Sequence, residues 1–345
     1  MDGDILKADL ISMNNKLVSI SSSHTSLGLL SGKIGYCIYF YKFAKVSGDN
    51  KYAKIAGDLL DSVCSNLGNY RIWNIENGLA GIGLGINYLV KEKFVAGDIN
   101  RILKDFDILL FKQMAFPDKK NPADLWLQTQ LLYYFSVRIK DQKKGSQGEY
   151  IFKQLIFKIL NSFSSVPDSF FEEPYSFSMD FRLPFFLHTL GMVSKQDTFT
   201  GKVRKITDDL TLKVISLIPV LHSHRVYLIF GMSLLAKELN IDPWQKHIRL
   251  LRRETDTNYM FSNELRDKNI FFKDGISGLG FILTEYNKTA DDSEKIEYNS
   301  EYLRNRIKTS ASWQRLMSDE QFFRANSGLN GFCGLSLFNS FYDLS

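Results

Sequence analysis

Five histidines, three cysteines and a scatter of carboxylates are the side chains of this 345-residue sequence that are equipped to hold a metal, move a proton or attack a substrate. His222 and His224 are the only clustered histidines. As i, i+2 neighbours on a helix they would point to different sides. Three readings stand: hydrogen bonding at a helix start, substrate contact, or a metal pair in a loop with Asp274 as a further donor. Asp124, Asp180 and Asp274 each stand near the start of an apolar run. A carboxylate there either caps a helix through its first amides or, beside a second carboxylate in a different environment, divides acid and base roles. Cys37 and Cys333 lie two residues after the second glycine of a Gly-x-x-Gly step. They read as small buried thiols at equivalent packing positions. No Cys-x-x-Cys pair is present, so neither a disulfide framework nor a zinc knuckle is indicated.

The elements that must position these residues follow from an internal repeat. Gly32 to Gly35, Gly78 to Gly81, Gly275 to Gly278 and Gly328 to Gly331 share the Gly-x-x-Gly step, and each opens an apolar run. At both ends of the chain the steps recur roughly 50 residues apart, and the long interval between them leaves space for three degenerate copies. These fall at Asp124 to Val137, Met179 to Val193 and His222 to Leu239. Amphipathic segments alternate with them, as in Tyr52, Ile55, Ala56, Leu59, Leu60 and Val63. Others are predicted at residues 99–110, 149–164, 200–216, 243–254 and 293–309, with 4–18 as a seventh. A helix apolar nearly all round is buried on most faces, whereas one with a single apolar stripe covers it from outside. The class is therefore all-α, with seven inner and seven outer helices in one domain over residues 1–345. Strand signals are few, the foremost being short pieces within 257–273. The paired glycines are expected to admit a neighbouring backbone, and the inner-helix N-termini to converge with their dipoles at one end. Aromatic residues such as Tyr133, Phe185 and Phe272 are expected mainly as core, a minority lining the mouth.

Composition narrows the function classes. The net charge of +5 is spread along the chain, with Lys143-Lys144 and Arg252-Arg253 only pairs, so nucleic-acid binding is not indicated. The longest apolar stretch, LAGIGLGINYLV, stops at Lys91, too short for a membrane span. The first residues, MDGDILKADL, lack a signal-peptide core. A cytoplasmic location is the expectation.

ENGLAGIGLGINYLV at Glu76 to Val90 and SGLNGFCGLSLF at Ser327 to Phe338 resemble the glycine-rich inner-helix starts of the lanthionine synthetase C-like proteins. That family cyclises ribosomally made peptides on an (α/α)7 toroid. The resemblance implies the toroid fold, and a chemistry in which a zinc-bound cysteine thiolate of the precursor adds to a dehydrated serine or threonine. It also implies a ligand set that this sequence lacks. The family's Cys-His-Gly triplet is here Lys273-Asp274-Gly275, and its fifth-repeat cysteine falls on His222. An ammonium group has no free lone pair with which to replace a thiolate. The family's acid/base histidine aligns with Asp180, and its third-repeat aspartate has a neighbour in Asp124. The resemblance thus implies Asp180, Asp124 and His222 as the catalytic candidates, and Asp274, Lys273 and His224 as substrate contacts. No metal and no cofactor are expected. The partner implied is a precursor peptide or a peptide-modifying dehydratase. Two alternatives are a metal-free acid/base enzyme and an α/α-toroid glycosidase working through paired carboxylates.

Overall fold

The computed structural model describes residues 2–115, 124–163, 165–265 and 269–340, and among them there is no strand. In chain order the helices are α1 (Asp2–Ser23), α2 (Lys33–Ser47), α3 (Asn50–Ser65), α4 (Leu79–Lys91), α5 (Ile99–Ile102), α6 (Lys104–Ala115), α7 (Leu125–Arg138), α8 (Gln147–Ser162) and α9 (Arg182–Ser194). They continue as α10 (Asp197–Ile215), α11 (His222–Glu238), α12 (Asp242–Arg253), α13 (Thr257–Tyr259), α14 (Ile276–Thr289), α15 (Ser300–Thr309), α16 (Ala311–Ser318), α17 (Glu320–Ala325) and α18 (Phe332–Ser340). All seven apolar runs read from the repeat are helices: α2, α4, α7, α9, α11, α14 and α18. Amphipathic helices alternate with them. In α3, for example, Tyr52, Ala56, Leu59 and Val63 form the buried stripe.

The stretch 257–273 is helical from 257 to 264 and otherwise, where it is described, loop and turn. Asp256 caps α13 by accepting from the Tyr259 N–H at 2.9 Å, and Met260 to Glu264 continue as one π-helical turn with Met260 and Phe261 both buried. Residues 266–268 of that stretch lie outside the described residues.

The chain's contacts divide into two compact units, residues 1–107 with 308–345, and residues 108–307. In the first, α2 packs between α4 and α18, so the first and last repeats meet. The Asn330 N–H donates to the Leu30 carbonyl at 3.1 Å, and the Tyr36 hydroxyl lies 2.7 Å from Ser327 Oγ. Cys37 and Cys333 are both buried, and burial pushes both thiols up, away from reactivity. In the second unit, α9 is flanked by α7 and α11, and α11 also touches α14.

At most of its glycines the Gly-x-x-Gly step does a different job from the one expected. The segment ahead of each such helix folds back over its first turn. Its carbonyls accept from the leading amides: Lys33 to Ser26 at 3.1 Å, Leu79 to Ile72 at 2.8 Å and Ile276 to Asn269 at 2.9 Å, each bond spanning seven residues. A methyl group on Gly81 or Gly278 would overlap the carbonyl oxygen of Ile75 or Phe272 on that incoming segment. At Gly81, Gly278 and Gly331 the close backbone is therefore the helix's own approach, whereas at Gly328 it is the backbone of Leu30 and Ser31 in the first repeat, as expected. The converging N-terminal dipoles expected for a ligand are, in these repeats, already capped by backbone. Close helix-to-helix approach occurs instead in the degenerate repeats, where Gly231 of α11 lies against Pro184 of α9 and Gly191 of α9 lies against Leu234 and Leu235.

Candidate functional site

The fifth inner helix, α11, has no glycine step and no backbone cap, so its first amides need other acceptors. Two carboxylates supply them. Glu264, on the π-helical turn, accepts from the His222 N–H at 2.7 Å, and its other oxygen accepts from the Ser223 N–H at 2.9 Å and the Ser223 hydroxyl at 2.7 Å. Glu173 accepts from the Val220 and Leu221 amides at 2.7 and 2.9 Å. Negative charge at a helix N-terminus is favourable on its own account.

His224 lies beneath this start with its side chain 0% exposed. Its Nε2 is 3.1 Å from the Ser178 N–H, which can only donate, so Nε2 is the acceptor. The proton then sits on Nδ1, donated to Glu173 Oε1 at 3.0 Å. The rings of Phe177 and Phe181 close the remaining sides, at centroid distances of 5.7 and 5.3 Å. Burial pushes the Glu173 carboxyl up, but the hydrogen bonds from His224 and the two amides outweigh it and hold the group below its ordinary value. Glu173, His224 and Ser178 resemble a serine-hydrolase triad in composition but not in geometry. A triad histidine takes the serine hydroxyl proton. Here the histidine holds the serine main chain, and the Ser178 hydroxyl donates to Asp274 Oδ1 at 2.6 Å.

Ser178 is thereby a junction. Its Oγ also accepts from the Asp180 N–H at 3.1 Å, while the Met179 N–H donates to the Lys273 carbonyl at 2.9 Å and Lys273 Nζ pairs with Asp180 Oδ1 at 2.9 Å. The loop before α9 is thus clamped to the loop before α14. The structure brings together Asp180, Lys273, Asp274 and His224 through Ser178. Asp180 is the most open of the pair it forms with Lys273, its side chain 57% exposed. His222, two residues before His224, is engaged elsewhere, with Nδ1 accepting from the Asp256 N–H at 2.9 Å and its ring 5.4 Å from Tyr259. Asp124 is exposed and caps α7, accepting from the Leu127 N–H at 2.7 Å. Pro122, read as preceding that cap, lies outside the described residues.

Zinc can be tested against this donor set. Lys273 is ion-paired, Asp274 accepts from Ser178, and His222 Nδ1 accepts from a backbone amide. Among the described residues no three His, Cys, Asp or Glu side chains converge as metal ligands. The residues at the implied ligand positions do not fit the metal.

Glu173, Glu264 and Ser178 escaped sequence reasoning, as did His188. The last lies on α9, stacked on Phe230 at 4.7 Å, with Nδ1 buried and without a hydrogen-bond partner among the described residues. Burial, with a smaller contribution from Lys195, lowers its pKa to about 4. Its one sequence signal is a lone imidazole inside an apolar run. Around it, Phe185 contacts Trp126 and Tyr133 at 5.6 and 5.4 Å, while Tyr134 and Phe186 are core.

No family model matches the chain, and no curated protein matches it. Among solved structures it is similar to nisin cyclase, with a TM-score of 0.60 and 11% sequence identity, covering 99% of this chain and 94% of that chain. At that identity the likeness carries the fold alone: the chain is an all-helical α/α toroid of the nisin cyclase kind. None of its described helices is long and apolar enough to cross a membrane.

Proposed function

We propose that this chain binds a ribosomally made precursor peptide, or the dehydratase that modifies it, without zinc-dependent thioether formation. The observation that carries the reading is the commitment of the implied ligand positions to other protein groups: Lys273 to Asp180, Asp274 to Ser178, and His222 to the Asp256 amide. A thiol is activated by a metal that deprotonates it, and these contacts leave neither a converging donor set nor a free lone pair on Lys273. In this reading Lys273, Asp274 and His224 belong to the peptide-contacting end, with His224 shaping it from beneath. A cytoplasmic location and a single domain over residues 1–345 go with it.

A second reading, metal-free acid/base work, draws support from the exposed Asp180 held beside the Lys273 ammonium, with Asp274 and His222 as its further groups. Incubation with a dehydrated, cysteine-containing precursor peptide separates the two from thioether synthesis. Ring closure leaves mass unchanged, so free thiols are counted by maleimide labelling. The expected result is saturable peptide binding with full retention of labelled thiol, unchanged by added zinc. Zinc-dependent loss of thiol would overturn the proposal, and substrate turnover insensitive to chelators but abolished by Asp180→Asn would establish the second reading in its place.

A further inference from the structure

The outer face of the second unit carries a groove of about 650 Å³ between the end of α12, the turn after it and residues 295–297. That is the size of a ligand pocket. Its walls hold five cations, Lys246, Arg249, Arg252, Arg253 and Lys295, against a single acid, Glu297. Leu250 and Ile296 give it an apolar floor, and Thr255 and Thr257 its hydroxyls.

The cations differ in how far they are already satisfied. Lys246, Arg253 and Lys295 form pairs with Asp242, Glu254 and Asp292 at 2.7, 3.0 and 2.7 Å. These are local, solvent-exposed contacts, which contribute little and exchange readily. Arg249 is exposed and has no ion pair among the described residues. Arg252 is mostly covered; its Nη1 makes no hydrogen bond but forms a long ion pair with Glu294 Oε1 at 3.9 Å, and its guanidinium also faces the Tyr286 hydroxyl. A guanidinium held at the long end of ion-pair distance can still make a shorter, charge-assisted bond to a second carboxylate.

We infer that this groove docks an acidic peptide segment in which carboxylates alternate with apolar side chains. Arginine forks match carboxylates in a bidentate way, and the floor of Leu250 and Ile296 takes the apolar side chains that a free phosphate or a nucleic-acid backbone lacks. This is a different place from the cluster around Ser178, and docking here holds whether or not thioether chemistry occurs.

The test uses the full chain and a short fluorescein-labelled peptide of alternating Glu and Leu, read by fluorescence anisotropy at about 0.15 M salt. Saturable binding is expected, with loss of affinity when Gln replaces Glu or Ser replaces Leu. Arg249→Glu with Arg253→Glu should weaken it by at least about tenfold. Lys143→Glu with Lys144→Glu changes the net charge equally, away from the groove, and should leave binding within about twofold of the parent. All four positions are exposed, and Arg249→Glu alone gives an independent reading because no ion pair is broken. Equal binding by the groove variants, equal loss in the Lys143/Lys144 variant, equal binding of the Gln peptide, or tighter binding of a uridine oligomer would each overturn the inference.

Discussion

Replacing Glu173 by Gln asks whether charge holds the start of α11 in place. In the parent, one carboxylate accepts from the Val220 and Leu221 amides and from His224 Nδ1. Glutamine keeps one acceptor oxygen and turns the other into an NH₂ that faces a donor. The side chain is only 16% exposed, so water repairs little of this. Losing a charged hydrogen bond costs about 1.5–3 kcal/mol, and a buried donor left unsatisfied about 1–3 kcal/mol. The expected loss is therefore about 2–5 kcal/mol. With an unfolding entropy of about 2 cal/mol/K per residue, a chain of this length loses about 0.7 kcal/mol of stability per degree near Tm, so Tm should fall by about 3–7 °C. The pH dependence gives a second handle. The folded carboxyl lies below its ordinary value, so its contribution is fully present above the unfolded value of about 4.3 and is lost as pH falls through the folded one. Circular-dichroism melts of both proteins from about pH 8 to pH 3.5 should show a gap in Tm that is constant above about pH 5.5 and narrows in acid. An unchanged Tm at neutral pH, or a gap that persists undiminished in acid, would refute the carboxylate's role.

Gly278→Ala drives a methyl group into the Phe272 carbonyl and should cost at least about 1–3 kcal/mol. Gly68→Ala, where nothing lies within 4 Å, should melt with the parent; equal effects would remove the incoming-loop argument. His188→Phe keeps the stack on Phe230 and removes a group that must stay neutral when folded. Because the folded pKa is lowered to about 4, the parent loses stability as pH falls from about 6.5 toward 4, and the variant should gain on it by on the order of 2–3 kcal/mol over that range; parallel pH profiles would contradict this. Protein purified without added metal should hold well under one equivalent of zinc and melt identically with a chelator; stoichiometric zinc surviving dialysis would point back to His222 and Asp274. Calorimetry should show one cooperative transition for residues 1–345, and two resolved transitions would divide the domain.

The seven inner helices were legible because burial on most faces leaves a mark that local sequence carries: long apolar runs, with glycine where the approach segment crosses. Asp124 was legible as a cap for the same reason, since its partner, the Leu127 amide, is three residues away. The start of α9 was less so. The run was read from Met179, whereas the helix begins at Arg182, because Phe177 to Phe181 is held as a loop by Ser178, Lys273 and Asp274. Those contacts span up to 96 residues, and no periodicity encodes them. Glu173 and Glu264 escaped for a related reason: an isolated glutamate looks the same whether it faces water or takes the amides of a helix 41 to 48 residues away. The paired glycines announce a close backbone but not whose: at Gly328 it is the neighbouring repeat's, at Gly81 and Gly278 the helix's own incoming segment, since a missing side chain does not say which backbone fills its place.

The two ways of closing an inner helix bear on the order in which the chain assembles. Where the acceptors are carbonyls seven residues upstream, a helix start closes within a short loop, at small entropic cost and with nothing later in the chain required. The start of α11 is different. The Val220 and Leu221 amides find Glu173 upstream, but the His222 and Ser223 amides wait for Glu264, some 41 residues further on. During synthesis α2 and α4 can be capped as they emerge, while the fifth repeat stays open until the turn beyond α12 has been made. Non-local closure of this kind slows folding, and it makes the Glu264 turn the latch that sets when the fifth repeat closes.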